Sequence, residues 1–198
     1  MIVAVEGIDG AGKNTLVTAL RERIDVDVLA FPRYEVSIHA QLAQQALHGR
    51  MGDLTESAYA MATLFALDRH GSLDTLAEYV DSDRVIVLDR YVASNAAYSL
   101  ARTGDEKVVD WVAELEFERL GLPRPDLQVL LDTPPAIASE RAINRAAQQA
   151  DRARDAYERD GGLQRRTWEA YLELAKRQWG SEWVITSDAE DIIRFITS

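Results

Sequence analysis

The residues with the clearest chemistry stand near the start of the chain. Gly7-Ile8-Asp9-Gly10-Ala11-Gly12-Lys13 follows the apolar run Ile2-Val3-Ala4-Val5 and precedes Leu16-Val17-Thr18-Ala19-Leu20, which reads as the opening of a helix. Strand, glycine-rich turn, lysine and helix is the order of a phosphate-binding loop. Glycines let the backbone take dihedrals that bring successive N–H groups against a polyphosphate. The helix N-terminus adds unpaired donors and partial positive charge, and Lys13 adds a full charge. A glycine-rich turn can also be a plain connector, and the strand and helix on either side favour the phosphate reading. One position departs from the motif: the residue after the lysine, usually a Ser or Thr whose hydroxyl meets magnesium, is Asn14, and the first hydroxyl is on Thr15.

Three further places put reactive groups where an apolar run stops: Phe31-Pro32-Arg33, Asp89-Arg90-Tyr91 and Asp132-Thr133. An acid at such a strand end can hold magnesium or its water, and a neighbouring arginine can clamp a phosphate through two parallel N–H bonds. A structural salt bridge is the competing reading of Asp89-Arg90. Beside a phosphate-binding loop the functional one is favoured.

These groups need a scaffold. Strands are expected at 2–5, 26–31, 84–89, 127–132 and 183–186. Helices are expected from the loop to about Arg23, then over 37–49, 54–80 with a kink at Gly71-Ser72, 95–102, 105–120, 135–145, 157–179 and 189–196. Strands alternating with helices predict an α/β fold: a parallel five-stranded sheet in three layers, with helices on both faces. In such a sheet, ligands sit beyond the carboxyl ends of the strands. The 198 residues fit one domain, and 47% apolar composition is enough for one core. There is no cysteine, which excludes disulfides and thiolate metal sites. The net charge of −11 argues against a broad nucleic-acid surface, though a pocket can still be locally basic. No run is long enough for a membrane span and no signal peptide is visible, so a cytoplasmic location is expected. His39, His48 and His70 lack metal-ligand spacing and read as surface or helix residues.

Taken together, the motifs are specific. Glu6 to Lys13, Phe31-Pro32-Arg33-Tyr34, Phe65-Ala66-Leu67-Asp68-Arg69, Asp89-Arg90-Tyr91 with Ser94 and Asn95, and Gly121-Leu122-Pro123-Arg124-Pro125-Asp126 occur in an order that resembles bacterial thymidylate kinases, actinobacterial members most of all. The resemblance implies a P-loop nucleoside monophosphate kinase fold, with γ-phosphoryl transfer from ATP to thymidine 5′-monophosphate (dTMP), Mg²⁺ as cofactor, and a homodimer. It implies ATP contacts from Gly7, Ile8, Asp9, Gly10, Ala11, Gly12, Lys13, Asn14 and Thr15. On the acceptor side, Phe31 belongs to the substrate pocket and Phe65 would stack on thymine. Arg69 would donate to a thymine carbonyl, Asn95 would read the base edge by its donor and acceptor, and Tyr98 would lie against the sugar. Arg33 and Arg90 would hold the acceptor phosphate with Tyr34 beside it. Asp9, Asp89 and Glu158 are the metal candidates, although a Glu at a helix start is also favoured by the dipole alone.

The acceptor is itself a phosphate, so the chemistry calls for cations more than for a base. Residues 141–154 carry Arg141, Arg145, Arg152 and Arg154 and resemble the family's lid. The family divides by whether a basic residue stands in the phosphate-binding loop or in the lid. Gly10 occupies the loop position here, so Arg145 and Arg152 are expected to act catalytically with Lys13, Asp9 and Arg90, while Arg141 packs on adenine. Two other readings compete. A deoxynucleoside kinase would use Glu6 or Asp9 as base for a hydroxyl acceptor, and a non-catalytic nucleotide-binding regulator would keep the loop without turnover.

Overall fold

In the computed structural model, residues 1–148 and 155–197 are described, without the side chains of 145–148. Five parallel strands form one sheet: β1 (Ile2–Glu6), β2 (Asp27–Ala30), β3 (Ile86–Asp89), β4 (Leu127–Leu130) and β5 (Glu182–Ile185), in the order β2-β3-β1-β4-β5. β1 is the central strand and all five of its residues are buried. This is why it reads as an uninterrupted apolar run rather than an alternating one. In register, Val5 faces Asp89 of β3 on one side and Val129 of β4 on the other. The carboxyl ends of the three middle strands therefore finish together.

The chain leaves β1 toward β2 on one side and later crosses to β4 on the other, so the sequence order reverses about β1. The crevice beyond that point is where such sheets bind ligands. Helix α1 (Lys13–Arg21) starts at the crevice and lies under the sheet through Leu16, Val17 and Leu20. α2 (Ile38–Leu47) and α3 (Ala58–His70) start on serines whose side chains accept from the third residue on, Ser37 from Ala40 and Ser57 from Ala60. Capping of this kind satisfies an otherwise orphan N–H. The long helix expected over 54–80 is three pieces: a 3₁₀ turn at Leu54–Glu56, then α3, then α4 (Leu73–Ala77). Ser57 makes the first break by capping α3.

α5 (Val92–Thr103) and α6 (Lys107–Ala113) follow β3, and α6 runs into a π-helical turn at Glu114–Arg119. Beyond β4 lie α7 (Pro135–Gln148), α8 (Ala156–Arg159), α9 (Gly161–Lys176) and, after β5, α10 (Ala189–Thr197). The single helix expected over 157–179 divides because the Asp160 carboxylate accepts from the Leu163 N–H and starts α9 afresh. One main core joins the sheet to its helices. A smaller one, around Ala43, Ala46, Leu47 and Met61, lies against Phe65 and Tyr157. No described helix is long and apolar enough to cross a membrane.

Candidate active site

The glycine-rich loop takes the shape its sequence requires. Gly7, Gly10 and Gly12 have φ values of 143°, 83° and 107°, and Gly12 is the N-cap of α1 in the left-handed region. The Lys13 ammonium turns back onto the loop and donates to the Gly7 and Ile8 carbonyls at 3.1 Å each. Behind the loop, the Thr133 hydroxyl donates to the Ala11 carbonyl at 2.8 Å, and Arg141 reaches the same oxygen at 3.4 Å. Gly7, Ile8 and Ala11 form the frame of the loop. A cavity of about 730 Å³ opens above it.

Asp9 joins the loop to the opposite wall. Its Oδ1 accepts from Arg90 Nη2 at 2.6 Å, while Oδ2 accepts from the Tyr98 hydroxyl at 2.8 Å and from Gln164 at 3.2 Å. Burial opposes charge on Asp9, but Arg90 and then Lys13 outweigh it and hold the carboxyl well below the ordinary range. Arg90 has φ 70°, unusual for a residue with a side chain. Its backbone N–H pairs with Val5 at the end of β1, and its guanidinium also donates to Ser94 and Tyr171, at 3.2 and 3.3 Å. So fixed, it lies 5.6 Å from the centre of the Tyr98 ring. Lys13 feels burial first and Arg90 second, which lowers its ammonium to about 8 against the opposing pull of Asp9, Asp89 and Glu6.

Of the residues expected from sequence, the cavity is lined by Asp9, Gly10, Gly12, Lys13, Asn14, Thr15, Phe31, Tyr34, Phe65, Arg69, Asp89, Arg90, Asn95, Tyr98, Arg141 and Glu158. Arg33 is not among them. Its Nε donates to Asp68 Oδ1 at 3.0 Å, and the remaining nitrogens reach the carbonyls of Asp68 and Gly71. The structure thus places Arg33, expected at the acceptor phosphate, as a brace between the end of β2 and α3. Glu6, considered as a base, is fully buried. It accepts from the Tyr91 N–H, Ser94 and Tyr171, at 2.8, 2.6 and 3.0 Å, and burial raises its pKa. It organises the site from beneath. Asp132 points elsewhere and accepts from the Trp168 indole at 2.7 Å.

Asp9, Asp89 and Glu158 do not form a three-ligand cluster among the described residues. Arg145 lies on α7 with its side chain undescribed, and Arg152 lies outside the described residues.

The wall that carries Arg69 and Asn95 has a member that sequence reasoning missed. Glu116, in the π-helical turn, is fully buried and accepts from Arg69 Nε and Nη2 at 2.5 and 2.8 Å and from Asn95 Nδ2 at 2.7 Å. Burial works against the Arg69 charge, and Glu116 more than offsets it, so the guanidinium is held more firmly protonated than usual. Gln164, Asp155 and His48 were missed as well. Gln164 ties Asp9 to the Tyr157 carbonyl, Asp155 caps α8 at the cavity edge, and His48 lines the cavity. Only Asp155 carried a readable signal: Asp155 and Glu158 have the spacing of a capping box.

A phosphate loop at the end of a central parallel strand, a facing cavity wall that carries Arg90 and helices on both faces define a P-loop nucleoside monophosphate kinase. The comparisons narrow the class. A family model described as thymidylate kinase matches residues 5–197. The thymidylate kinase of Mycobacterium tuberculosis is 51% identical over 93% of this chain and 90% of its own length. A probable thymidylate kinase from Archaeoglobus fulgidus is 32% identical over 73% of the chain and 70% of its own length. The solved thymidylate kinase of Candida albicans, at 19% identity, shares the fold with a TM-score of 0.69, over 99% of this chain and 90% of that one. The chain belongs to the thymidylate kinase family.

Proposed function

We propose that the chain transfers the γ-phosphoryl group of ATP to dTMP, giving dTDP and ADP, with residues 1–198 acting as one kinase domain and about 141–154 as its lid. One observation carries the reading at residue level: Asp9 of the phosphate loop is bonded to Arg90 and Tyr98 of the acceptor wall, at 2.6 and 2.8 Å. Donor and acceptor halves are thus built as one unit inside one cavity.

Lys13 and the α1 N-terminus hold the ATP phosphates, and Arg90 holds the acceptor phosphate in line with them. Most of the catalytic effect is positioning and charge stabilisation, because the loose transition state spreads charge over phosphoryl oxygens. No base is required, which agrees with a Glu6 carboxylate already engaged by three donors. Arg141 lies beside the loop, and Arg145 and Arg152 supply the lid cations by family resemblance. Phe65 and Phe31 flank the base, Arg69 and Asn95 read its edge, and Tyr98 closes on the sugar.

The oxygen donors along the cavity suit Mg²⁺, an ion that takes one or two carboxylates and shares the substrate phosphates. Asp89 and Glu158 would hold it, with Asp9 near, and when bound it neutralises phosphate charge. A cytoplasmic location and a homodimer built on α3 and its neighbours complete the reading. The dimer is supported by the family resemblance; sedimentation at assay concentration tests it.

The deciding experiment is a coupled ADP-release assay with dTMP and thymidine in parallel, with and without Mg²⁺. Turnover of dTMP only, and only with Mg²⁺, is expected. Turnover of thymidine but not dTMP would reverse the reading to a nucleoside kinase, and ATP binding without turnover would make the chain a regulator.

A further inference from the structure

The base-side wall contains more than base recognition requires. An ion pair between Arg69 and Glu116 would be satisfied by the two bonds between them. Yet Glu116 Oε1 takes a third bond, from Asn95 Nδ2 at 2.7 Å, and the second hydrogen of that nitrogen goes to the Ala62 carbonyl at 2.9 Å. Both amide donors of Asn95 are therefore spent inside the protein, and the acceptor Oδ1 is the only polar group it can offer a ligand. Likewise Arg69 has its Nε–H and one Nη2 hydrogen committed to Glu116, and what remains of its fork can only donate. The wall presents an acceptor beside a donor group.

The π turn at Glu114–Arg119 makes this possible. Its wider winding turns Glu116 inward, between α3 and α5, where an α-helical continuation of α6 would phase the side chain differently. The Leu122 N–H closes behind it on the Glu116 carbonyl at 3.0 Å.

We propose that Glu116 is a positioning residue that sets base selectivity: by fixing the amide orientation of Asn95 and the fork of Arg69, it makes the site read a ring N–H next to a carbonyl. This rests on the reading of the acceptor as dTMP. Thymine and uracil present that pair, N3–H and O4. Cytosine presents the reverse, an acceptor N3 beside an amine, and would set acceptor against acceptor and donor against donor. Buried polar groups left without partners make such mismatches costly, so rejection of dCMP by about a thousandfold or more is expected.

Glu116→Gln tests it. A glutamine in this place must direct its own NH₂ at a donor of Arg69 or of Asn95. Turning the Asn95 amide over would meet that NH₂ but set its oxygen against the Ala62 carbonyl, so in either arrangement the single fixed orientation of Asn95 and Arg69 is lost. The variant should raise KM for dTMP about tenfold or more, leave kcat within about threefold and KM for ATP unchanged, and lower the dTMP-over-dCMP ratio of kcat/KM at least about tenfold.

Glu116→Asp keeps the charge that Arg69 needs but shortens the reach, and carries the same test should the glutamine variant fail to fold. The unaltered protein gives a third arm: N3-methyl-dTMP should compete with dTMP no better than dCMP does. A folded variant that keeps its selectivity, or an N3-methyl nucleotide that competes like dTMP, would overturn the proposal. An unaltered protein that does not phosphorylate dTMP at all would instead overturn the functional reading beneath it.

Discussion

Gly10 offers a sharp test of how the phosphate loop is held. A Cβ built there would lie 2.1 Å from the Ala138 carbonyl oxygen and 2.9 Å from its carbon, and φ is +83°. The obstruction is backbone of α7, so no flexible side chain can swing aside. Gly49 provides the control, since it has φ +74° and nothing within 4 Å of a built Cβ. Both Gly→Ala changes carry the left-handed penalty, about 1–2 kcal/mol. Only Gly10→Ala adds overpacking, about 1–3 kcal/mol in a well-packed site. Equilibrium unfolding in urea at one fixed protein concentration should therefore show Gly10→Ala costing about 1–3 kcal/mol more than Gly49→Ala, with the same m-value. KM for ATP should rise in the first variant alone.

Equal costs would refute the contact between loop and α7. They would also undercut a functional consequence: if even a methyl group is excluded at position 10, the loop cannot carry a basic side chain there. Catalytic cations must then come from elsewhere, and Gly10→Arg should not rescue a variant lacking Arg145 and Arg152.

Lys13, lowered to about 8 by burial and then Arg90, should give kcat/KM for ATP an alkaline limb near pH 8, because that ratio reports the free enzyme. Stability should move the other way, rising with pH from about 8 to the ordinary lysine value of 10.5, since the unfolded chain there binds more protons; a flat kcat/KM to pH 9.5 would contradict the site electrostatics. Arg33→Ala should cost about 3–5 kcal/mol of unfolding free energy by stranding the buried Asp68 carboxylate, with a smaller rise in KM for dTMP than Arg90→Ala produces; the reverse ranking would return Arg33 to the phosphate. Arg145→Ala and Arg152→Ala should lower kcat with modest change in KM, and unchanged kcat in the double variant would remove the lid arginines from catalysis.

What could be read from the sequence was what local pattern decides. β1, β3 and β4 are apolar runs that end in or near polar turns, and the glycine loop lies between such a run and a helix; those signals need no partner. Residues 54–80 read as one helix kinked at Gly71-Ser72 because their composition is continuously helical, whereas the break at Ser57 depends on its hydroxyl accepting from the Ala60 N–H three residues on. Arg33 is expected at the phosphate from the family resemblance, and its pairing with Asp68, distant in sequence and 1% exposed, gave no signal. Glu116 stood in the charged run Glu114 to Arg119, indistinguishable from a solvated helix face until the π turn directed it between Arg69 and Asn95. Gln164 gave no signal either, since an amide is polar wherever it lies. The site was legible where its chemistry is carried by a motif and illegible where it is carried by the partners of motif residues.

The position after Lys13 lacks its usual hydroxyl, and the obvious substitutes for metal placement were Asp9 and Asp89. Their surroundings separate them. Asp9 has one oxygen committed to Arg90 at 2.6 Å and the other to Tyr98 and Gln164, at 2.8 and 3.2 Å. Asp89 lines the same cavity at the end of β3. Displacing Asp9 onto an ion would release Arg90 and Tyr98 together, so its carboxylate is expected to serve that wall before a metal. Asp9→Asn should weaken dTMP binding measured calorimetrically without Mg²⁺ about tenfold to hundredfold, the size of a lost charge-assisted hydrogen bond. Asp89→Asn should leave that binding unchanged and raise the Mg²⁺ concentration needed for half-maximal rate. If Asp9→Asn shifts only the magnesium requirement and dTMP still binds as before, Asp9 is the metal ligand after all and its pairing with Arg90 is incidental. If the expected pattern holds, the metal-binding role of the missing hydroxyl has passed across the sheet to β3, and the loop's own acid has become the link between the two substrates.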